Sequence, residues 1–190
     1  MVVVGASWGG LEALTCLVRT LPADFAIPVV VVQHRGRDSK TLLADLLQDR
    51  SELRVGEPDD KEPLLAGHVY VAPSDYHLLV DDDYLTLEMD APVRYSRPSI
   101  DVTFSSAADT YGTRAIGVVL TGANADGSIG LRRIVDAGGT GIVQDPESAE
   151  MPVMPRAARL AVPEATVLPI EKIGPHLVSL AAAGAGARTT

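Results

Sequence analysis

A chain of 190 residues, 46% hydrophobic and 22% charged, has the balance of a globular protein with one large domain and a substantial core. Its 16 Lys and Arg against 25 Asp and Glu leave a formal net charge of -9, which argues against nucleic acid or an anionic membrane surface as the main partner. No apolar run approaches the roughly 20 residues of a membrane span, and the N-terminus reads as a strand rather than a signal core, so a cytoplasmic protein without membrane insertion is expected. The single cysteine, Cys16, excludes an internal disulfide and reads as a small buried hydrophobe of the first helix.

The chain opens on Val2-Val3-Val4-Gly5-Ala6-Ser7-Trp8-Gly9-Gly10, a buried strand at 2–6 turning sharply into a helix at 10–20, where Leu11, Leu14 and Leu17 or Val18 keep helical spacing. Gly5-Ala6-Ser7-Trp8-Gly9 fits G-x-S-x-G in that strand-turn-helix context. The pattern exposes a serine hydroxyl at a strand's C-terminal end, with backbone N–H groups of the helix start facing it. Ser7 is therefore a candidate nucleophile. A glycine-rich turn of this kind also suits a nucleotide phosphate, but G-x-G-x-x-G is not matched, and the strand at 28–33 ends in Gln33-His34 rather than in a ribose-binding carboxylate.

A helix at 39–49 and a short strand at 53–55 continue the βαβ rhythm of a parallel sheet covered by helices. The runs at 68–72, 78–80 and 84–88, separated by Pro73-Ser74-Asp75 and Asp81-Asp82-Asp83, read as antiparallel strands joined by turns. The three adjacent aspartates fit a solvated turn better than a metal site. Arg97-Pro98-Ser99-Ile100-Asp101 opens a helix through about Tyr111, with the proline in its first turn. Strands at 115–120, 141–144 and 166–168 then alternate with helices at 127–137, 155–161 and 173–183.

In an open parallel sheet, reacting groups gather outside the carboxyl ends of the strands. Three such exits deliver Ser7, His34 and, through Thr121-Gly122-Ala123-Asn124-Ala125-Asp126-Gly127, Asp126. A serine needs an imidazole to take its proton and a carboxylate to orient that imidazole, and these three residues supply one of each. The order Ser, His, Asp departs from that of the α/β-hydrolases. Asp126 also fits a plain helix cap, and His68, His77 and His176 read as surface or structural histidines.

Gly5-Ala6-Ser7 with Gly9-Gly10, Gln33-His34, Arg97-Pro98-Ser99-Ile100-Asp101, Leu120-Thr121-Gly122 with Asp126-Gly127, and Met154-Pro155-Arg156-Ala157-Ala158 together make the chain resemble the catalytic domain of the chemotaxis protein-glutamate methylesterases of the CheB type. The resemblance implies a doubly wound, mostly parallel α/β sheet with helices on both faces and an antiparallel hairpin region in the middle of the chain. It implies one catalytic domain over 1–184; the tail at 185–190 is expected to fray, and the receiver domain usual in the family is expected to be absent, a departure from the family's pattern. It further implies a serine hydrolase that demethylates glutamate methyl esters, and deamidates certain glutamines, on the cytoplasmic domain of chemoreceptors, with Ser7 as nucleophile, His34 as base and Asp126 as orienting acid. Backbone N–H groups near Trp8 and Ala123 are the expected oxyanion donors, and neither metal nor organic cofactor is required.

The chain departs from the family where Trp8 stands in place of a small polar residue, often threonine, and where Ala123-Asn124 replaces methionine and glycine. As the neighbour of the nucleophile, the Trp8 ring is expected to line the pocket, with packing against a nearby loop as its alternative. An esterase of the same type with another target, or a binding module on the same fold, shares most of these features.

Overall fold

The computed structural model describes residues 1–36 and 42–186, with the side chains of 185 and 186 left aside. Nine strands and six α-helices follow in chain order: β1 Val2–Ala6, α1 Gly10–Val18, β2 Val29–Gln33, α2 Leu42–Gln48, β3 Arg54–Gly56, β4 His68–Val71, β5 His77–Val80, β6 Leu85–Glu88, α3 Ile100–Tyr111, β7 Ile116–Val119, α4 Ser128–Asp136, β8 Thr140–Gln144, α5 Val153–Ala161, β9 Thr166–Leu168 and α6 Ile170–Gly186. The expected start of the second helix at 39, and residues 187–190 of the expected tail, lie outside the described residues. Among the described residues, no helix is long and apolar enough to cross a membrane.

Seven strands form one parallel sheet in the order β3-β4-β2-β1-β7-β8-β9. Because β1 carries valine after valine, it can be covered on both sides. Val2, Val4 and Ala6 pack with Leu14, Leu17 and Leu47 from α1 and α2, and Val3 joins Ile100, Phe104 and Leu131 from α3 and α4 on the opposite face. This alternation, with helices on both faces, is the doubly wound architecture expected from the sequence.

The run at 68–72 needs correcting. It is not part of the antiparallel group: β4 lies in the parallel sheet between β2 and β3, with Val69 opposite Val29 and Val71 opposite Val31. The physical reason is burial on both faces, since Val69 and Val71 belong to one core and Tyr70 and Ala72 to the other. Among the strands of the described residues, β5 and β6 alone pair antiparallel, Leu78 against Leu87, and the aspartates 81–83 make their turn. Pro98 also sits outside the helix it was expected to begin, because extended Ser99 (φ -109°, ψ 134°) is the N-cap and α3 starts at Ile100.

After β1 the chain proceeds to β2 on one side, while β7 pairs with β1 on the other. The loops leaving β1 and β7 therefore diverge, and the crevice between them is where doubly wound sheets bind ligands. Gly5 lets α3 close on this point. A Cβ there would stand 2.4 Å from Ile100 Cγ2, so only a residue without a side chain admits the first turn of α3 against the end of β1.

Candidate active site

Ser7 is the first residue after β1. Its N–H donates to Thr121 O at 3.0 Å, and its carbonyl accepts from Gly10 N–H at 2.9 Å and from Gln33 Nε2 at 2.8 Å. Gly9 caps α1 at φ 75°, a left-handed conformation that costs glycine little. The turn is thereby held from the strands on either side, with the hydroxyl at the start of α1.

His34 follows β2 and anchors its own N–H on Ala6 O at 3.1 Å. Ala6 is opposite Gln33 in the ladder, so Ser7 and His34 are the next residues of two paired strands. Nδ1 of His34 lies 3.3 Å from Ser7 Oγ, and Nε2 lies 2.8 Å from Asp126 Oδ2. With Nε2–H donating to the carboxylate, Nδ1 presents its lone pair to the serine. Its side chain is 11% exposed, whereas that of Asp126 is fully buried.

A buried charge requires compensation, and Asp126 receives it from five donors. Ser99 Oγ, Asp101 N–H and Gly127 N–H donate to Oδ1 at 3.1, 2.9 and 3.0 Å, and Ile100 N–H joins His34 on Oδ2 at 2.8 Å. Two of these are free N–H groups of the first turn of α3, where the helix dipole also favours an anion. Burial pushes the Asp126 carboxyl up, but the hydrogen bonds from His34, Asp101 and Ile100 outweigh it and hold the pKa below its ordinary value. The neighbouring Asp101 goes the other way. Burial and the Asp126 charge raise its pKa against the opposing Gly130 N–H, which donates at 2.8 Å. Opposed environments thus keep Asp126 as the anion beside the imidazole.

The structure accordingly brings Ser7, His34 and Asp126 into one hydrogen-bonded chain. Among the described residues, the backbone N–H groups of Trp8 and Ala123 have no protein acceptor, which leaves them available as donors. The Trp8 ring is 62% exposed, and its indole N–H donates to Glu150 Oε1 at 3.0 Å. Glu150 in turn lines a groove of about 530 Å³ with Ser7, Gly9, Leu11, Thr15 and Gln33. A separate cavity of about 190 Å³ opens beside His34 between Arg35, Tyr95, Ser96 and Arg97. No group of three or more His, Cys, Asp or Glu is arranged to hold a metal ion among the described residues.

Four site residues escaped the sequence reading. Ser99 has the sequence position of a helix cap, yet its hydroxyl does not cap α3 and donates to Asp126. Buried His77 accepts the Ser99 N–H on Nδ1 at 3.2 Å while its Nε2 bonds Ala91 O, so this structural histidine supports the acid from one residue further out. Gln33 fixes the Ser7 carbonyl. Asn124, in the loop before Asp126, places Nδ2 3.2 Å from His34 Nδ1. Gln33 and Ser99 stood within quoted motifs and Asn124 within the loop before Asp126, but no local signal gave their roles, and His77 had none.

The family model described as CheB methylesterase matches residues 2–177. A Leptospira interrogans protein provisionally named protein-glutamate methylesterase/protein-glutamine glutaminase is 42% identical over 180 residues, covering 94% of this chain and 93% of that protein. Protein-glutamate methylesterase/protein-glutamine glutaminase 2 of Anaeromyxobacter dehalogenans is 43% identical over 91% of this chain but only 51% of its own length. The crystal structure of the Thermotoga maritima CheB methylesterase catalytic domain superposes with a TM-score of 0.91 at 36% identity, covering 94% of this chain and 97% of that one.

Proposed function

The chain belongs to the CheB methylesterase family, and from that premise we propose that it hydrolyses glutamate methyl esters, and deamidates glutamines, on the cytoplasmic domain of chemoreceptors, with Ser7, His34 and Asp126 as its catalytic triad. The observation that carries the reading is the continuous chain Ser7 Oγ, His34 Nδ1, His34 Nε2, Asp126 Oδ2 at the crevice where the β1 and β7 loops part.

In acylation, Ser7 Oγ attacks the side-chain carbonyl while its proton passes to Nδ1. The carbonyl π pair moves onto oxygen, where the N–H groups of Trp8 and Ala123 meet it. Collapse of the tetrahedral centre breaks the bond to methoxide, which leaves as methanol with the proton from Nδ1. For a glutamine the same step releases ammonia. Water, deprotonated by the now neutral Nδ1, then attacks the acyl-enzyme and frees the receptor carboxylate and Ser7. Throughout, Asp126 stays ionised and stabilises the imidazolium.

The direct test is methanol release from a methylated chemoreceptor cytoplasmic fragment by the wild-type chain and by Ser7→Ala. Turnover that vanishes with Ser7 supports the reading. Covalent labelling of Ser7 by a phosphonate without methanol release would point instead to an esterase of this type with another target.

A further inference from the structure

Asn124 stands at the reacting atom of the base, and the triad leaves it without a task. Its orientation is settled by one bond: the Asp126 N–H donates to Asn124 Oδ1 at 3.0 Å, so the end facing His34 is the NH2 group. That group lies 3.2 Å from His34 Nδ1, with Ser7 Oγ at 3.3 Å from the same atom. Since Nε2–H is committed to Asp126, Nδ1 has a single in-plane lone pair and two donors competing for it.

A neutral imidazole offers that lone pair to be shared between the two donors, but an imidazolium offers none. Once the Ser7 proton arrives on Nδ1, the lone pair has become an N–H bond and the Asn124 amide faces a donor. The amide is half-buried, and a donor in that position that has lost its acceptor favours a new one. The acceptor created in the same step is the oxyanion on the carbon newly bonded to Ser7 Oγ, next to the N–H of Ala123, the residue preceding Asn124.

We propose that Asn124 is a catalytic residue, its side-chain N–H held on His34 Nδ1 in the free enzyme and transferred to the oxyanion when Nδ1 takes the serine proton. In acylation the Ser7 O–H bond breaks and the Oγ–C bond forms, the carbonyl π pair becomes the oxyanion, and the proton waits on Nδ1. When the oxyanion pair re-forms the carbonyl and the C–O bond to methoxide breaks, that proton leaves with methanol, Nδ1 recovers its lone pair, and the amide returns to it; attack by water on the acyl-enzyme repeats the exchange. The inference rests on the proposed esterase reaction and adds a third donor that forms only in the transition state, the kind of contact that raises kcat rather than lowering KM.

The test uses the full chain and two variants. Asn124→Ala removes the whole amide, while Asn124→Asp keeps an oxygen for the Asp126 N–H and loses the donor. Measured quantities are kcat and KM on a peptide glutamyl methyl ester, the affinity of the matching peptide trifluoromethyl ketone, which adds to Ser7 as a tetrahedral oxyanion, and the melting temperature. Loss of an oxyanion donor costs about 10²-fold in kcat. Both variants should show a loss of that order with KM nearly unchanged, and the ketone affinity should fall in parallel. Either variant retaining kcat within threefold of wild type, or losing kcat with undiminished ketone affinity, overturns the proposal. If the wild-type chain turns over no methyl ester, the esterase reading fails, yet the ketone comparison still decides the role of Asn124.

Discussion

Replacing Asp126 by Asn tests the electrostatic design of the site with almost no change of shape. The carboxylate accepts three hydrogen bonds on Oδ1 and two on Oδ2. An asparagine can keep its carbonyl oxygen at the Oδ1 position, where all three donors remain satisfied. Its NH2 then occupies the Oδ2 position, facing two donors, Ile100 N–H and His34 Nε2–H. The backbone group cannot change, so one buried N–H is stranded at a cost of about 1–3 kcal/mol. The histidine can change, by moving its proton to Nδ1, and in that tautomer it presents Ser7 with a donor instead of a base. By analogy with the same substitution in a serine protease triad, kcat should fall about 10⁴-fold, equivalent to about 5 kcal/mol of barrier. Methanol release would measure the first effect, urea unfolding the second, and ¹⁵N shifts of the His34 ring the tautomer itself. A variant whose kcat stays within tenfold of wild type, or whose ring keeps its proton on Nε2, would refute this account of Asp126.

Ser7→Ala and His34→Ala should each lower kcat by several orders of magnitude, and the double variant should be scarcely worse than either, because the two act as a unit; additive losses in a kinetic cycle would contradict the shared step. Gly5→Ala drives a methyl group into Ile100, and overpacking of this kind costs about 1–3 kcal/mol, which urea unfolding should show together with reduced turnover, since Ile100 N–H holds Asp126. On acidification from neutrality, stability should first rise as Asp101, whose pKa is raised in the fold, takes a proton, and then fall as the pH passes below the ordinary carboxylate range through the lowered pKa of Asp126; Asp101→Asn should abolish the initial rise in pH-dependent unfolding. Trp8→Thr removes an exposed ring and one exposed hydrogen bond to Glu150, so stability should change by no more than about 0.5 kcal/mol while KM changes, and unchanged kinetics would exclude the ring from substrate contact.

The alternation of strands and helices was legible because valine runs and helical leucine spacing are local properties. The partner of a strand is not. The run at 68–72 reads as apolar in any sheet, and only its burial on both faces, visible once α1, α2 and α3 are in place, assigns it between β2 and β3. Similarly, Ser7, His34 and Asp126 were legible as polar residues at the ends of parallel strands, whereas the support for Asp126 was not. Ser99 sits where a helix cap is expected, and nothing local says that its hydroxyl serves a residue 27 positions away. Gly5 reads as part of a turn, although what requires it is Ile100 from the facing layer. Asn124 looks like ordinary turn chemistry until the second end of its amide is followed to the histidine.

The sheet also acts as a ruler for the imidazole. In the order β2-β1-β7, His34 leaves the strand beside that of Ser7, while Asp126 stands in the loop that leaves β7, the strand on the other side of β1. The His34 ring spans the two, with Nδ1 3.3 Å from Ser7 Oγ and Nε2 2.8 Å from Asp126 Oδ2. The ring is thus turned in the opposite sense to that of the protease triad, where Nε2 faces the serine. A one-residue insertion within β2 would turn the side chain at its end to the other face of the sheet, separating His34 from Ser7 while both remained in the sequence.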